Sequence, residues 1–156
     1  MKQKNPAAKT LILGLGNELL SDDGVGIKAA RSLREEFQSQ ADVMECSETG
    51  LALLDILEGY ERVLLLDAIS TGHHPPGTVL EFGAEDLHQT VAPSPHAAGI
   101  PELLQLAKRL GLSFPEKLHI LAIEVENAYE LGERLSTPVE KALPVFLQFN
   151  RRLNPL

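Results

Sequence analysis

One stretch near the N-terminus constrains the fold more than any other part of the chain. It reads Thr10-Leu-Ile-Leu-Gly-Leu-Gly-Asn-Glu-Leu-Leu-Ser-Asp-Asp-Gly-Val-Gly26, an apolar run that breaks into a glycine-rich turn. A nearly continuous apolar run suits a strand that is buried on both faces, as in a parallel sheet. The turn then delivers two adjacent acids, Asp22 and Asp23, whose mutual repulsion needs a ligand, a cation or solvent to compensate it. We therefore expect a strand–turn–helix unit with chemistry at its turn.

Strands and helices are predicted to alternate along the rest of the chain. The predicted strands are Thr10–Leu15, Asp42–Cys46, Arg62–Ala68, Thr78–Phe82 and Leu118–Ile123. The predicted helices run from Val25 to Phe37, from a Thr49 cap to about Glu58, from near Ile100 to Gly111, and from a Thr137 capping box to about Arg152. This order is typical of an α/β fold. We predict a three-layer sandwich, with a mostly parallel twisted sheet of about five strands and helices on both faces. It forms a single domain over residues 1–156, and residues 1–9 are a flexible tail.

Composition and charge exclude several classes of protein. The chain of 156 residues carries 14 basic and 22 acidic residues, a net charge of −8, which does not suit binding to nucleic acid. No apolar run approaches the roughly 20 residues of a membrane span, and no signal peptide is evident. The only cysteine, Cys46, excludes an internal disulfide. We expect a cytoplasmic protein without membrane or nucleic-acid partners.

Polar residues follow several predicted strands, and in an α/β fold ligands bind outside the carboxyl ends of the strands. Asp23 follows the first strand, Asp67 ends the third, and His96 lies in a loop ahead of a helix. Two carboxylates and an imidazole could hold a divalent ion with open positions, or act without a metal in proton transfer. Each residue also has a purely structural alternative. Asp23 could cap a helix, His96 could be an exposed loop residue, and Glu124 could form a salt bridge at the end of a strand.

Other candidates carry weaker signals. A dinucleotide fingerprint needs a third glycine where this chain has Leu19, so a nucleotide-binding α/β domain is disfavoured. His73 and His74 precede Pro75-Pro76 and indicate a surface loop rather than a metal site. Cys46 is interpreted as a small buried hydrophobe. Two further acids, Glu45 and Glu48, are predicted to be solvated.

The segment Gly14–Gly26 closely resembles the opening signature of the hydrogenase maturation endopeptidases. The likeness continues in register through Leu65-Leu-Asp-Ala68, Pro76-Gly-Thr78, Ser94-Pro-His96 and Leu135-Ser-Thr-Pro-Val139, and so covers nearly the whole chain. The resemblance implies a peptidase that removes a short C-terminal extension from the large-subunit precursor of a nickel-iron hydrogenase. The recognition element would be nickel already inserted in that precursor, although other divalent ions could occupy the site.

The resemblance also implies roles for particular residues. The second acid of the first motif, the acid of the third strand and the histidine of Ser-Pro-His are the family's metal-contacting and catalytic trio, here Asp23, Asp67 and His96. The motif loop is supported by Gly14, Gly16, Asn17, Asp22 and Gly24. A water molecule activated by Asp23 or Asp67 is the working hypothesis for the attack. The alternative is a non-enzymatic nickel-binding or sensing module with the same ligands.

Overall fold

The computed structural model describes residues 9–88, 96, 99–126 and 128–153. In this part of the chain the strands are β1 (Thr10–Leu15), β2 (Asp42–Cys46), β3 (Arg62–Ile69), β4 (Val79–Gly83) and β5 (Lys117–Glu124). The helices are α1 (Val25–Phe37), α2 (Ala52–Leu57), α3 (Ile100–Leu110) and α4 (Thr137–Leu153). Short 3-10 turns occupy Ser21–Gly24 and Ala84–His88.

The five strands form one sheet in the order β2-β1-β3-β5-β4. β1 pairs in parallel with β2 and β3, β3 pairs in parallel with β5, and β4 runs antiparallel to β5. The predicted mostly parallel sheet of about five strands is confirmed. β3 lies at its centre, so the carboxyl end of β3 is flanked by those of β1 and β5.

Helices cover both faces of the sheet and create two apolar cores. Successive strand side chains point to opposite faces, so Leu64 and Leu66 pack with α1 and α4, whereas Leu65 and Ile69 pack on the side of α2 and α3. Each fully buried leucine contributes roughly 1.5–3 kcal/mol through burial. The three-layer α/β sandwich predicted from the strand–helix alternation is confirmed.

Two glycines allow α1 to sit unusually close to the sheet. A Cβ on Gly14 would lie 2.7 Å from the Cβ of Ala30, and a Cβ on Gly26 would overlap the carbonyl oxygens of Leu15 and Leu66. Any larger residue at either position would push α1 away from β1 and β3. The close approach fixes the beginning of α1, and with it the turn that carries the two acids, over the carboxyl edge of the sheet.

Several predicted boundaries differ from the structure. Thr49 does not cap α2, because Gly50 turns the chain with φ of 61° and the helix begins only at Ala52. α4 begins at Thr137, with the Ser136 carbonyl accepting a hydrogen bond from Glu140 N, so the cap is one residue earlier than predicted.

At the N-terminus, Lys9 is not part of a free tail, because its carbonyl accepts hydrogen bonds from the amides of Glu61 and Arg62. The rest of the predicted tail lies outside the described residues. No helix among the described residues is both long enough and apolar enough to cross a bilayer.

Candidate active site

The register of the sheet brings the first motif level with Asp67. Gly14 of β1 pairs with Leu66 of β3, so the turn that follows Leu15 begins beside Asp67. The sequence pattern predicts Asp67 at the end of the third strand. In the structure β3 continues to Ile69, so Asp67 lies two residues before the end of the strand. Asp67 is two residues from both Leu65 and Ile69, so it lies on the same face of the sheet as they do, the face covered by α2 and α3.

Asp23 and His96 form a buried pair at this edge. The Nε2 atom of His96 lies 3.0 Å from Oδ2 of Asp23, and the two residues are 7% and 3% exposed. The same Oδ2 accepts a hydrogen bond of 2.8 Å from the backbone N–H of Asn17. His96 is thus a buried partner of Asp23, and the alternative of an exposed loop histidine is wrong. Ser94 and Pro95, which precede His96 in its motif, lie outside the described residues.

The electrostatic environment favours the charged form of His96. The hydrogen bond to Asp23 is the largest influence and raises the pKa of His96, while burial lowers it. The charges of Asp67 and Asp23 raise the pKa further, and the net shift is upward. Both carboxylates therefore act on the same imidazole, although they belong to segments far apart in sequence.

Asp67 is close to this pair in electrostatic terms but does not complete a preformed ligand cluster. Its side chain is fully buried, and Oδ1 accepts a hydrogen bond of 2.8 Å from the backbone N–H of Ala68. Among the described residues, no three His, Cys, Asp or Glu side chains are grouped so that they could hold a metal ion. The structure thus brings Asp23 and His96 into contact and places Asp67 where its charge reaches His96.

Asp22 points to a different part of the molecule from Asp23. Its Oδ1 accepts a hydrogen bond of 2.6 Å from Ser136 N, and its Oδ2 accepts one of 2.8 Å from Ser136 Oγ. Ser136 immediately precedes α4, so the buried carboxylate of Asp22 stabilises the N-terminus of that helix. No side-chain cap is made at its own 3-10 turn. The two acids are therefore compensated separately, Asp22 by Ser136 and Asp23 by Asn17 and His96.

The backbone of the turn is held in a conformation that few residues adopt. Gly16 has φ of 143°, and a Cβ there would overlap the carbonyl oxygen of Asp23. Gly24 lies against Glu18, whose Cα would be 3.0 Å from an added Cβ. The side-chain Oδ1 of Asn17 accepts a hydrogen bond of 3.0 Å from Leu19 N, and the backbone N–H of Asn17 donates one to Asp23 Oδ2. Gly16, Asn17 and Gly24, three of the predicted supporting residues, thus shape the backbone around Asp23.

Surface ion pairs also fasten the turn to its surroundings. Arg31 binds both carboxylate oxygens of Glu18, at 3.0 and 2.9 Å, and approaches Glu45 at 2.7 Å. Glu45 also accepts a hydrogen bond of 2.6 Å from Arg34. The prediction that Glu45 is merely solvated is therefore wrong, because it links β2 to two arginines of α1. Glu48 is exposed, as predicted.

Glu124 is a structural acid whose role the sequence left open. One carboxylate oxygen accepts hydrogen bonds from the amides of Thr71 and Gly72 at 2.7 and 2.9 Å, and the other accepts from Thr71 Oγ1 at 2.7 Å. These contacts hold the start of the loop after β3 through hydrogen bonds rather than through a salt bridge. His73 and His74 in that loop are exposed, and Cys46 is buried, both as predicted.

Ser136 is a partner of the first motif that the sequence pattern does not identify. The available signal was the Leu135–Val139 segment of the resemblance, which the structure now connects with Asp22. Neighbouring backbone contacts reinforce the link, since Ser21 N donates to Gly132 O at 2.6 Å and Ser21 Oγ donates to Arg134 O at 2.9 Å. The first and last blocks of the resemblance therefore form one structural unit.

Comparisons with known proteins agree with this architecture. A family model described as "HycI: Hydrogenase maturation protease" matches residues 27–150. HupD of Rhizobium leguminosarum bv. viciae, a hydrogenase expression/formation protein, is 26% identical over 148 residues, covering 92% of this chain and 72% of that protein. The NiFe hydrogenase maturation protease HybD from Thermococcus kodakarensis is 30% identical with a TM-score of 0.71, over 93% of this chain and 98% of that one.

A second solved structure gives the same result. The hydrogenase maturating endopeptidase HybD from E. coli is 25% identical with a TM-score of 0.72, over 91% of this chain and 89% of that one. The family-model match spans well over half of the 156 residues. The chain therefore belongs to the hydrogenase maturation protease family, and it is a peptidase.

Proposed function

We propose that this peptidase removes a short C-terminal extension from the nickel-loaded large-subunit precursor of a nickel-iron hydrogenase. The observation that carries the proposal is the buried contact between Asp23 and His96, with the charge of Asp67 acting on the same imidazole. The relatives are described as maturation proteases and endopeptidases, which favours cleavage over a purely nickel-binding or sensing role. The precursor, the nickel and the cytoplasmic setting are parts of the proposal.

Nickel enters this scheme as part of the substrate. Carboxylate oxygen and imidazole nitrogen are suitable ligands for a divalent ion of borderline hardness, and Asp23, Asp67 and His96 supply both types. Three side chains give an incomplete coordination shell, so ligands of the precursor would have to supply the rest. A precursor without nickel would lack this bridge and would bind more weakly. Recognition would then rest on a difference in affinity between loaded and unloaded substrate.

Hydrolysis in this site needs a proton acceptor and a proton donor. A carboxylate of Asp23 or Asp67 takes a proton from water as the oxygen attacks the scissile carbonyl carbon. The carbon–nitrogen bond then breaks, and the departing amine receives a proton either from that protonated carboxyl or from an imidazolium of His96 that is not bound to nickel. Burial strengthens these interactions because solvent is excluded around the pair. Asp22 and Asn17 hold the turn and take no direct part.

The direct test is incubation of the purified protein with the host's large-subunit precursor, prepared with and without nickel. We expect intact-mass measurement to show loss of a C-terminal peptide from the loaded precursor only. Equal cleavage of both forms would contradict nickel recognition while preserving the peptidase assignment. Absence of cleavage from the loaded form under all conditions would contradict the proposed substrate.

The titration of His96 gives a pH-dependent prediction for the chelator-treated protein. The pKa of His96 is raised above the ordinary value of about 6.5, chiefly by the hydrogen bond to Asp23. A raised folded-state pKa adds stability that is fully present below the unfolded pKa and is lost as the pH rises through the folded pKa. The loss of unfolding free energy in His96→Gln should therefore be larger near pH 5.5 than near pH 9. Chemical denaturation at the two pH values measures it.

The exposed His73 provides the control, as His73→Gln removes an imidazole that is outside the buried site. Its effect on the free energy of unfolding should be small at both pH values. A His96→Gln effect that is constant with pH, or that grows toward alkaline pH, would contradict the assigned pairing with Asp23.

A further inference from the structure

Two exposed leucines, Leu19 and Leu131, precede a backbone bridge beside the turn that carries Asp23. Leu20 and Gly132 form a parallel β-bridge, and Gly132 N donates a hydrogen bond of 2.9 Å to Leu19 O. The residues that precede the bridged pair are Leu19 and Leu131, so the bridge brings the backbones of these two leucines together. Their exposed fractions are 59% and 83%. We call this surface the leucine pair.

The leucine pair is tied to the candidate site through one short turn. Leu19 N donates a hydrogen bond to Asn17 Oδ1, and Asn17 N donates one to Oδ2 of Asp23. One segment of seven residues, 17–23, therefore carries an exposed apolar side chain and the buried carboxylate that contacts His96. A partner that docks on Leu19 therefore contacts the same turn that holds Asp23.

The charge and size of the surface indicate what kind of partner covers it. A second copy of the chain is disfavoured, because two molecules with a net charge of −8 repel each other. Two leucines also offer far less area than the roughly 1,200–2,000 Å² that a stable dimer interface buries. A small apolar contact that adds affinity beside a reaction site suits a transient enzyme–substrate complex.

We propose that the leucine pair is a docking surface for apolar side chains of the hydrogenase large-subunit precursor while its extension is being cleaved. This inference rests on the proposed function and adds a contact outside the Asp23–His96 site. The leucine pair contributes affinity for the precursor and takes no part in bond breaking. Its removal therefore raises KM for the precursor and leaves kcat unchanged.

The test compares the double variant Leu19→Gln/Leu131→Gln with Leu110→Gln. The second variant is a matched control, because Leu110 is an exposed leucine at the C-terminal end of α3. Leu110 is 59% exposed, the same fraction as Leu19. With nickel-loaded precursor as substrate, we expect the double variant to raise KM about tenfold or more, with kcat within about twofold of wild type. The control should leave both parameters unchanged. Thermal melting of all variants shows whether the fold is retained.

Leu131→Gln alone provides a second measurement should the double variant melt early, because the Leu131 side chain is the more exposed of the two. It should raise KM by about threefold or more. An unchanged KM in folded variants, with wild type still processing the precursor, would overturn the docking surface and leave the proposed function standing. Failure of wild type to process the loaded precursor would instead overturn the proposed function. A wild-type dimer in sedimentation that the double variant dissociates would assign the surface to self-association and overturn our assignment.

Discussion

Asp23→Asn is expected to lower kcat/KM for processing of the nickel-loaded precursor by about a thousandfold. The substitution keeps the size of the side chain but removes the charge that pairs with His96 at 3.0 Å. It also weakens any coordination of a divalent ion, for which a neutral amide is a poorer ligand than a carboxylate. Cleavage followed by intact mass under single-turnover conditions measures the effect.

The neighbouring acid provides a matched control. Asp22 is as deeply buried as Asp23, but its carboxylate contacts Ser136 at the beginning of α4. Asp22→Asn should lower the free energy of unfolding by about 1–2 kcal/mol, because charge-assisted hydrogen bonds to Ser136 become neutral ones. The folded fraction should retain kcat/KM within about tenfold of wild type.

The comparison of the two variants separates a role of Asp23 in the cleavage reaction from a role of Asp22 in stabilising the fold. If Asp22→Asn lost as much activity as Asp23→Asn while remaining folded, the division of roles between the acids would be wrong. If Asp23→Asn processed the loaded precursor at the wild-type rate, Asp23 would be excluded from both metal contact and proton transfer. Equal melting temperatures of wild type and Asp23→Asn would exclude unfolding as the cause of lost activity.

The sheet and its helices were predictable because their signals are local. The apolar run of β1 and the four-residue spacing of Val25, Ala29, Leu33 and Phe37 depend only on neighbouring residues, and all four helix positions are buried in the structure. The local pattern ends β3 at Ala68, one residue too early, because the extension to Ile69 depends on pairing with Glu124 of β5. Pairing between distant segments leaves no mark in the local pattern.

The site was only partly predictable for the same reason. Asp22 and Asp23 are adjacent in sequence, and this adjacency predicts that one ligand, cation or solvent shell compensates the repulsion between their charges. Their partners lie 114 and 73 residues away, in Ser136 and His96, and these contacts separate the two acids. The strand-end rule correctly selected the edge of the sheet where Asp23 and His96 meet, but it could not assign a partner to either acid. The catalytic and metal roles of Asp23, Asp67 and His96 stay predictions.

The strongest prediction for stability concerns Gly16. Gly16→Ala should lower the free energy of unfolding by about 3 kcal/mol or more, because the new Cβ meets the carbonyl oxygen of Asp23 and φ of 143° is strained for alanine. Urea denaturation measures the loss. Gly111→Ala is the control: Gly111 also has a positive φ, 67°, but no atom lies within 4 Å of an added Cβ.

The control isolates the backbone cost, which should be about 1 kcal/mol at Gly111. The excess at Gly16 then measures the steric conflict between the two ends of the turn together with the additional backbone strain of alanine at φ of 143°. Because that conflict falls on Asp23, the folded fraction of Gly16→Ala should also process the loaded precursor more slowly than Gly111→Ala. Equal stability losses in the two variants would mean that the turn relaxes freely around a side chain. The close packing of Gly16 against Asp23 would then not be what fixes the position of the carboxylate opposite His96.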